Sequence, residues 1–439
     1  MIGFVRGLLE RRLVRDVALS YVFTVASLVA NLLTGIIIAR TLGADGRGEL
    51  AAILAFTQVA TWIFAMGCSH AASFHLARHP EQGGRVIGTW LLLLAPFAVL
   101  GLAASIAVVP IALGAQREYV VIAGQLFATT LVLALVLELL QGVILGDHRF
   151  LLWNYLRFAQ PAGVAVLYVV LLVLDALTVT SALVANAVML VLVLGVGGGW
   201  ALRRHGRPRA DLRFARTTFW YGFRVHGSTV AGTVNARLDL AIIPAFLGAA
   251  GVGLYSVATN IAAIVGTLAG SVVALVLPAA ARRAEQGAAT VVASMYVALA
   301  IGLAGALVIG VLAQPTLRLL YGAEFEAAAG PLRVLLVGYV LLQPGLVLSQ
   351  GLNAVNRPFA GSLPHVAGAV VTVVGLLLFL AGGGIMAAAW VTTAAYAVVA
   401  VTALVLYRGA TRLSWRALSP ARSLADLRGS QAVPGPERP

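Results

Sequence analysis

Long apolar runs separated by short polar segments make up most of this chain. Each run is long enough to cross a bilayer as a helix, since a spanning helix needs about 20 residues. We therefore expect an all-α polytopic membrane protein with twelve transmembrane helices. They are predicted at residues 17–42, 50–75, 86–112, 119–145, 151–174, 178–201, 218–247, 251–280, 290–313, 329–354, 359–381 and 384–407.

The polar segments give the orientation of the chain in the membrane. All 30 basic residues are arginine, and with the N-terminus in the cytoplasm most of them lie in cytoplasmic segments. Cytoplasmic loops are enriched in Lys and Arg, so this bias predicts that both termini are cytoplasmic and that the number of spans is even. Few arginines lie in external segments: Arg40, Arg47, Arg117 and Arg318.

A repeated glycine motif indicates that the chain consists of two related halves. L-G-A-x-G-x-G occurs at Leu42 and again at Leu247, and three shorter matches (E-Q-G, G-A-x-x-E and Q-G) follow in the same order in both halves. We expect two six-helix repeat lobes of parallel topology around a central cavity, with a site between the halves near the midplane. The predicted regions are an interfacial N-terminal helix at 1–16, lobes at 17–201 and 218–407, a basic cytoplasmic linker at 202–217 and a cytoplasmic tail at 408–439.

Composition excludes several kinds of chemistry. The chain is 61% hydrophobic and 10% charged, against about 25% charged residues in soluble domains. It has no lysine, which excludes P-loop and Schiff-base lysines, and Cys68 is its one cysteine, so no internal disulfide can form. The net charge of +14 follows from arginines in loops, so we expect no nucleic-acid partner. We expect no cofactor and no metal.

The seventh span is unusually polar for a transmembrane helix. It carries Arg224, His226, Arg237 and Asp239. A charge inside the hydrocarbon costs about 2.5–3.5 kcal/mol even on the lenient insertion scale, so such groups face a protein interior or a watery cavity. Arg237 lies eleven residues after His226 and shares its helical face, and Arg224 shares a second face with Asn235.

Each of these polar residues has a functional and a structural interpretation. Arg237 either contacts an anionic substrate or pairs internally with Asp239 or Glu138, and Arg224 either binds substrate or snorkels to the interface. His226 is favoured as an interior histidine. Asn31 of span one either faces the cavity or only packs helices. Glu138, deep in span four, either pairs with an arginine of span seven or carries a proton.

Ordered motifs along the whole chain resemble a known family. They are A-R-x-L-G-x-x-G-x-G after span one, R-L-D-L-A-I-I-P-x-x-L-G at 237–248, Y-G-x-x-F at 321–325 and Q-G-x-N-A-x-N-R-P at 350–358. The chain resembles the polysaccharide-transport, or oligosaccharide-lipid flippase, branch of the multidrug/oligosaccharidyl-lipid/polysaccharide exporter superfamily. The resemblance implies two six-helix lobes around a V-shaped cavity. It also implies a flippase, not an enzyme, that moves polyprenyl-diphosphate-linked oligosaccharide across the bacterial plasma membrane by alternating access.

The resemblance further implies that arginine side chains bind the diphosphate in a cavity of low dielectric constant, where bidentate contacts are strongest. Arg224 and Arg237 would supply the contacts, membrane lipid would hold the tail, and other polysaccharide assembly proteins are possible partners. A multidrug or cation exporter and a peptidoglycan lipid-precursor flippase are the alternatives. A membrane enzyme acting on lipid-linked sugars is disfavoured, because no external loop carries an acid–base or arginine cluster.

Overall fold

A computed structural model of the protein describes residues 2–282, 287–355 and 357–412. Across these ranges the chain is helical and no strand occurs. The fourteen helices are α1 (Ile2–Phe64), α2 (Cys68–Arg78), α3 (Gly83–Ala112), α4 (Glu118–Ala128), α5 (Thr130–Gly146), α6 (Phe150–Val173), α7 (Val179–His205), α8 (Leu212–Asn235), α9 (Leu238–Ile242), α10 (Ala249–Arg282), α11 (Gly287–Val311), α12 (Ala313–Leu320), α13 (Ala329–Ala354) and α14 (Pro358–Thr411). The predicted cytoplasmic tail lies outside the described residues beyond Arg412.

Two of these helices are too long to be single spans. The apolar part of α1 runs for 46 residues and that of α14 for 53. At 1.5 Å per residue, 46 residues are about 70 Å long, more than twice the hydrocarbon thickness of about 30 Å. Each helix breaks at a glycine with positive φ, Gly43 (φ 68°) in α1 and Gly384 (φ 56°) in α14. Each therefore contributes two spans.

The helices account for the twelve predicted spans. Eight described helices are long and apolar enough to cross a membrane, and α4 with α5, bent by 41°, forms a ninth span. The breaks at Gly43 and Gly384 raise this number to eleven. The twelfth is the polar seventh span, made by α8 and α9. The all-α polytopic fold is thus confirmed in the part of the chain that the structure describes.

The chain divides into two compact units. One comprises residues 1–256 and 320–325, and the other comprises 257–319 and 326–439. The core of the first packs α2, α3 and α5 around Cys68, Trp90 and Leu135. The core of the second packs α11, α13 and α14 around Val291, Leu348 and Tyr407. A compact unit and a sequence repeat are different divisions of a chain, so the predicted lobe boundaries stay a prediction.

The two copies of the glycine motif touch inside the first unit. A Cβ atom on Gly48 would lie 1.8 Å from the carbonyl oxygen of Ala249 and 2.7 Å from the nitrogen of Gly253. A Cβ atom on Gly253 would lie 2.0 Å from the carbonyl oxygen of Ala44. Only glycine leaves room for this approach. The start of the second span is thereby held directly against the start of α10.

The segment between α7 and α8 is folded onto the start of α3. The Arg209 backbone N–H donates to the Gly84 carbonyl at 2.9 Å, and the Asp211 N–H donates to Thr89 Oγ1 at 3.0 Å. The Asp211 carboxylate also pairs with Arg85 at 2.7 Å. The same carboxylate accepts from the backbone N–H groups of residues 213 and 214 and so caps α8. This part of the predicted linker is therefore held by hydrogen bonds within the first unit.

Candidate functional site

The seventh span is an interrupted helix. It begins as α8, breaks at Ala236 and Arg237, continues as the short helix α9 and ends in a single 3₁₀ turn, Ile243–Ala245. Irregular backbone at membrane depth is tolerated only where it is buried in protein or lines a cavity. The break places Asn235 and Arg237 at the most irregular point of the span.

Arg237 lies at the break itself. It precedes α9 with φ −136°, its backbone N–H donates to the Val234 carbonyl at 3.0 Å, and its side chain is partly buried. Asn235, two residues earlier, is buried. Arg237 interacts electrostatically with a second arginine, Arg47. Two guanidinium groups that interact in this way repel each other, and an anion near both would be favoured.

Arg47, which the sequence predicts to lie in an external segment, is a further candidate for the site. In the structure its Nε atom is buried and has no hydrogen-bond partner among the described residues. Its guanidinium also interacts with Tyr168 and Tyr321, and Asn186 donates to the Tyr168 hydroxyl at 2.7 Å. Buried arginines are normally paired, so an N–H without an acceptor is expected where a ligand supplies one.

Asp239 is tied into the wall of the same unit. It is 2% exposed, Tyr255 Oη donates to its Oδ2 at 2.6 Å, and the Leu240 backbone N–H donates to its Oδ1 at 2.8 Å. A carboxylate in the first turn of α9 is favoured by the partial positive charge of a helix start. These bonds position α9 after the break.

Glu138 of α5 interacts electrostatically with an arginine of the neighbouring helix α6. The arginine that interacts with it is Arg157 of α6, not an arginine of the seventh span. The Arg157 guanidinium carbon also lies 4.4 Å from the centre of the Trp153 ring. Glu138 is therefore grouped with α6 and not with Arg237.

Arg224 and His226 lie in the α8 part of the span, apart from Arg237. His226 Nε2 is 3.1 Å from the Ile63 carbonyl oxygen, a hydrogen bond when Nε2 carries the proton. Arg224 is exposed and borders a cavity of about 700 Å³ whose other lining residues belong to α8: Arg216, Thr217, Trp220 and Tyr221. Thirteen residues of helix separate Arg224 from Arg237 by about 20 Å along the axis. The structure thus groups Arg237 with Arg47 and groups Arg224 with Arg216.

Asn31 is exposed, and its amide donates to the Ser27 carbonyl at 2.8 Å. The side chains of Thr24, Ser27 and Thr34 bond to their own helix in the same way. This polar face of the first span therefore satisfies its donors locally. No group of three or more His, Cys, Asp or Glu side chains suited to a metal ion occurs among the described residues.

Comparison with known proteins places the chain in a family and a fold. The model of a family described as polysaccharide biosynthesis protein matches residues 13–283, more than half of the chain. The lipid II flippase MurJ in an inward closed conformation superposes with a TM-score of 0.76 at 12% identity, covering 95% of this chain and 94% of that one. No curated protein gives a significant match.

Multidrug transporters share the fold as well. An inward-facing multidrug resistance MATE family transporter of the MOP superfamily superposes with a TM-score of 0.68 at 16% identity, covering 92% of this chain and 96% of that one. The MATE multidrug transporter DinF-BH, solved with R6G, gives 0.65 at 14% identity, covering 92% and 97%. At these identities the likeness concerns the fold.

Proposed function

Because the chain belongs to the polysaccharide biosynthesis protein family, we propose that it is a flippase for polyprenyl-diphosphate-linked oligosaccharide. It would serve surface polysaccharide biosynthesis in the bacterial plasma membrane, with both termini in the cytoplasm. Family and fold favour a membrane transporter or flippase over an enzyme. Translocation would proceed by alternating access.

The observation that carries this proposal is the pair formed by Arg47 and Arg237. Arg47 is buried and interacts electrostatically with the partly buried Arg237, and Arg47 Nε has no acceptor among the described residues. A diphosphate presents several anionic oxygens close together, which fits two guanidinium groups better than a single one. A polyprenyl tail has no polar group and stays in lipid while the headgroup is held.

A cation exporter is supported less well by the same geometry. Such a protein needs a carboxylate available to a cationic substrate. Asp239 is already held by Tyr255 and a backbone N–H, and Glu138 lies near Arg157. The buried carboxylate of Glu49 accepts from the Tyr119 hydroxyl and pairs with Arg117 at 3.7 Å. A peptidoglycan lipid-precursor flippase remains the second candidate because the lipid II flippase shares the fold. Both flippase candidates require the same diphosphate chemistry.

Leaflet transfer in liposomes tests the proposal. The protein is reconstituted, and transfer of a fluorescent polyprenyl-diphosphate oligosaccharide is measured for the wild type, Arg47→Gln, Arg237→Gln and the control Arg333→Gln. Arg333 is exposed and donates to the Gly310 carbonyl, so its loss removes an equal charge elsewhere. Loss of one hydrogen bond to a charged group costs about 1.5–3 kcal/mol, so we expect transfer to fall by about tenfold or more at Arg47 and Arg237 only.

Three outcomes are informative. Transfer by the wild type that is lost in both arginine variants supports the flippase and the site. Equal transfer in all four proteins keeps the flippase and discards the arginine pair. Absence of transfer by the wild type, together with efflux of a cationic dye, replaces the proposal with the exporter.

A further inference from the structure

The N-terminal half of α8 carries a second arrangement of arginine and aromatic side chains. The cavity of about 700 Å³ is bordered by Arg216, Thr217, Trp220, Tyr221 and Arg224. These positions fall at i, i+1, i+4, i+5 and i+8, which is one face of a helix. Two full turns separate the Cα atoms of Arg216 and Arg224 by about 12 Å. The two cations therefore stand at either end of an aromatic patch.

The side chains of this face include a ring held in place, an accessible ring and two exposed cations. Tyr221 is fixed by stacking on Phe74, with ring centres 4.1 Å apart and planes 21° from parallel. Trp220 beside it is 49% exposed, so its ring is accessible. Arg216 and Arg224 are both exposed, and neither forms an ion pair with a described residue. The face thus offers two unpaired cations and an open indole ring.

We propose that this face is a loading site for the diphosphate–sugar headgroup of the substrate, occupied before the headgroup reaches Arg47 and Arg237. This inference rests on the proposed flippase function. The arginines at the ends bind the phosphates, and the apolar face of a sugar ring packs on Trp220, an aromatic group with a large apolar surface. A volume of about 700 Å³ lies within the usual range of about 300–1,000 Å³ for ligand pockets.

The positive-inside bias alone does not explain this face. Arg207, Arg209 and Arg213 lie in the same basic segment, are exposed and satisfy that bias without bordering the cavity. Since Arg224 is about 20 Å of helix from Arg237, a diphosphate held at one is not held at the other. The seventh span therefore offers the headgroup two successive binding positions.

The test measures binding and transfer on the same proteins. The probe is a water-soluble short-chain prenyl-diphosphate disaccharide, added to full-length protein in nanodiscs of phosphatidylcholine. The variants are Arg216→Gln and Trp220→Leu. Their matched controls are Arg207→Gln and Trp390→Leu, which remove the same kinds of side chain from exposed positions outside the cavity. Size-exclusion profiles confirm folding. Leaflet transfer of the long-chain substrate by the wild type is recorded in parallel.

We expect the dissociation constant of the probe to rise about tenfold in each variant and to stay within about twofold in each control. Unchanged binding in both variants, with normal transfer by the wild type, would overturn the loading site and leave the flippase standing. Binding that depends on Arg216 and Trp220 without any wild-type transfer would keep the site and overturn the flippase. A Kd change seen only when phosphatidylglycerol is added would assign the face to an anionic phospholipid and overturn the inference.

Discussion

Gly48 and Gly253, which occupy equivalent positions in the two copies of the glycine motif, lie with their backbones in direct contact. Alanine at Gly48 would put a methyl group 1.8 Å from the carbonyl oxygen of Ala249. Backbone atoms cannot rotate away as a flexible side chain can, so we expect Gly48→Ala to cost about 1–3 kcal/mol of unfolding free energy. Tryptophan fluorescence during thermal unfolding in detergent would show a lowered Tm.

The control for this change is Gly195→Ala in α7, where no atom lies within 4 Å of the added methyl group. It should leave the Tm unchanged or raise it, since alanine is the better helix former. Equal Tm values for the two variants would mean that the glycine contact is not needed for stability.

Gly67 joins the second span to the seventh. It has φ 69°, and a Cβ atom there would lie 2.2 Å from the Gly222 carbonyl oxygen. Gly67→Ala is therefore destabilising for two reasons. The methyl group clashes with the seventh span, and alanine is strained in a left-handed backbone conformation. Gly384→Ala isolates the backbone cost, because Gly384 also has a positive φ but no neighbour within 4 Å. We expect Gly67→Ala to lower the Tm more than Gly384→Ala does. A larger loss of Tm in Gly384→Ala would show that the contact between Gly67 and Gly222 adds nothing to the backbone cost.

Trp90 and Thr218 form a buried hydrogen bond between α3 and α8. Trp90 Nε1 donates to Thr218 Oγ1 at 2.9 Å, and both side chains are fully buried. Trp90→Phe leaves the hydroxyl without its donor, which costs about 1–3 kcal/mol. Adding Thr218→Val removes the unsatisfied hydroxyl and should recover part of the loss. A double-mutant cycle on the unfolding midpoints measures this coupling, and strictly additive losses would rule it out.

The carboxylate of Asp211 makes the linker sensitive to acid. The backbone N–H of Arg213 lowers the pKa of Asp211 most strongly, and the N–H of Phe214 and the Arg85 guanidinium lower it further. A group whose pKa is lowered on folding contributes stability that is complete above its unfolded value of about 3.9 and is lost as the pH falls through the folded value. Neutral pH therefore retains the whole contribution.

Trypsin cleavage after Arg209 reports whether the linker is held, since the neighbouring Arg207–Pro208 bond resists trypsin. Asp211→Asn removes the charge that pairs with Arg85, so we expect faster cleavage at neutral pH than in the wild type. Asp175→Asn, in the turn between α6 and α7, is the matched control and should leave cleavage unchanged. A rate in Asp211→Asn equal to that of the wild type would show that the backbone hydrogen bonds hold the linker without the ion pair.

The spans could be predicted because the length of each apolar run and the distribution of arginine are visible in the sequence itself, without knowledge of contacts between helices. The burial of Arg47 could not be predicted, because the second apolar run begins only at residue 50 and the sequence around Arg47 is typical of a turn. Its burial follows from the break at Gly43, which starts the second helix early, and from the contact of Gly48 with α10. A signal was present in R-G-E, where a charged residue precedes a glycine needed for close packing.

Other parts of the site depend on contacts between helices. The break at Arg237 has no glycine or proline at the point of interruption, so the sequence predicts one continuous span there. The neighbour of Glu138 is set by the packing of α5 beside α6, and no spacing rule within a single helix identifies Arg157. The grouping of Arg224 with Arg216 could have been predicted from the sequence, because the helical period places both residues on one face.

The junction between the two predicted halves also bears on how such a chain evolves. A tandem duplication first leaves a connecting peptide with no contacts of its own. Here Arg209 and Asp211 of that peptide bond to Gly84 and Thr89, and a Cβ atom on Gly88 would meet the Arg209 backbone at 2.4 Å. The start of α3 and the junction must therefore change together. Replacing either half with that of a homologue would fail unless both segments come from the same parent.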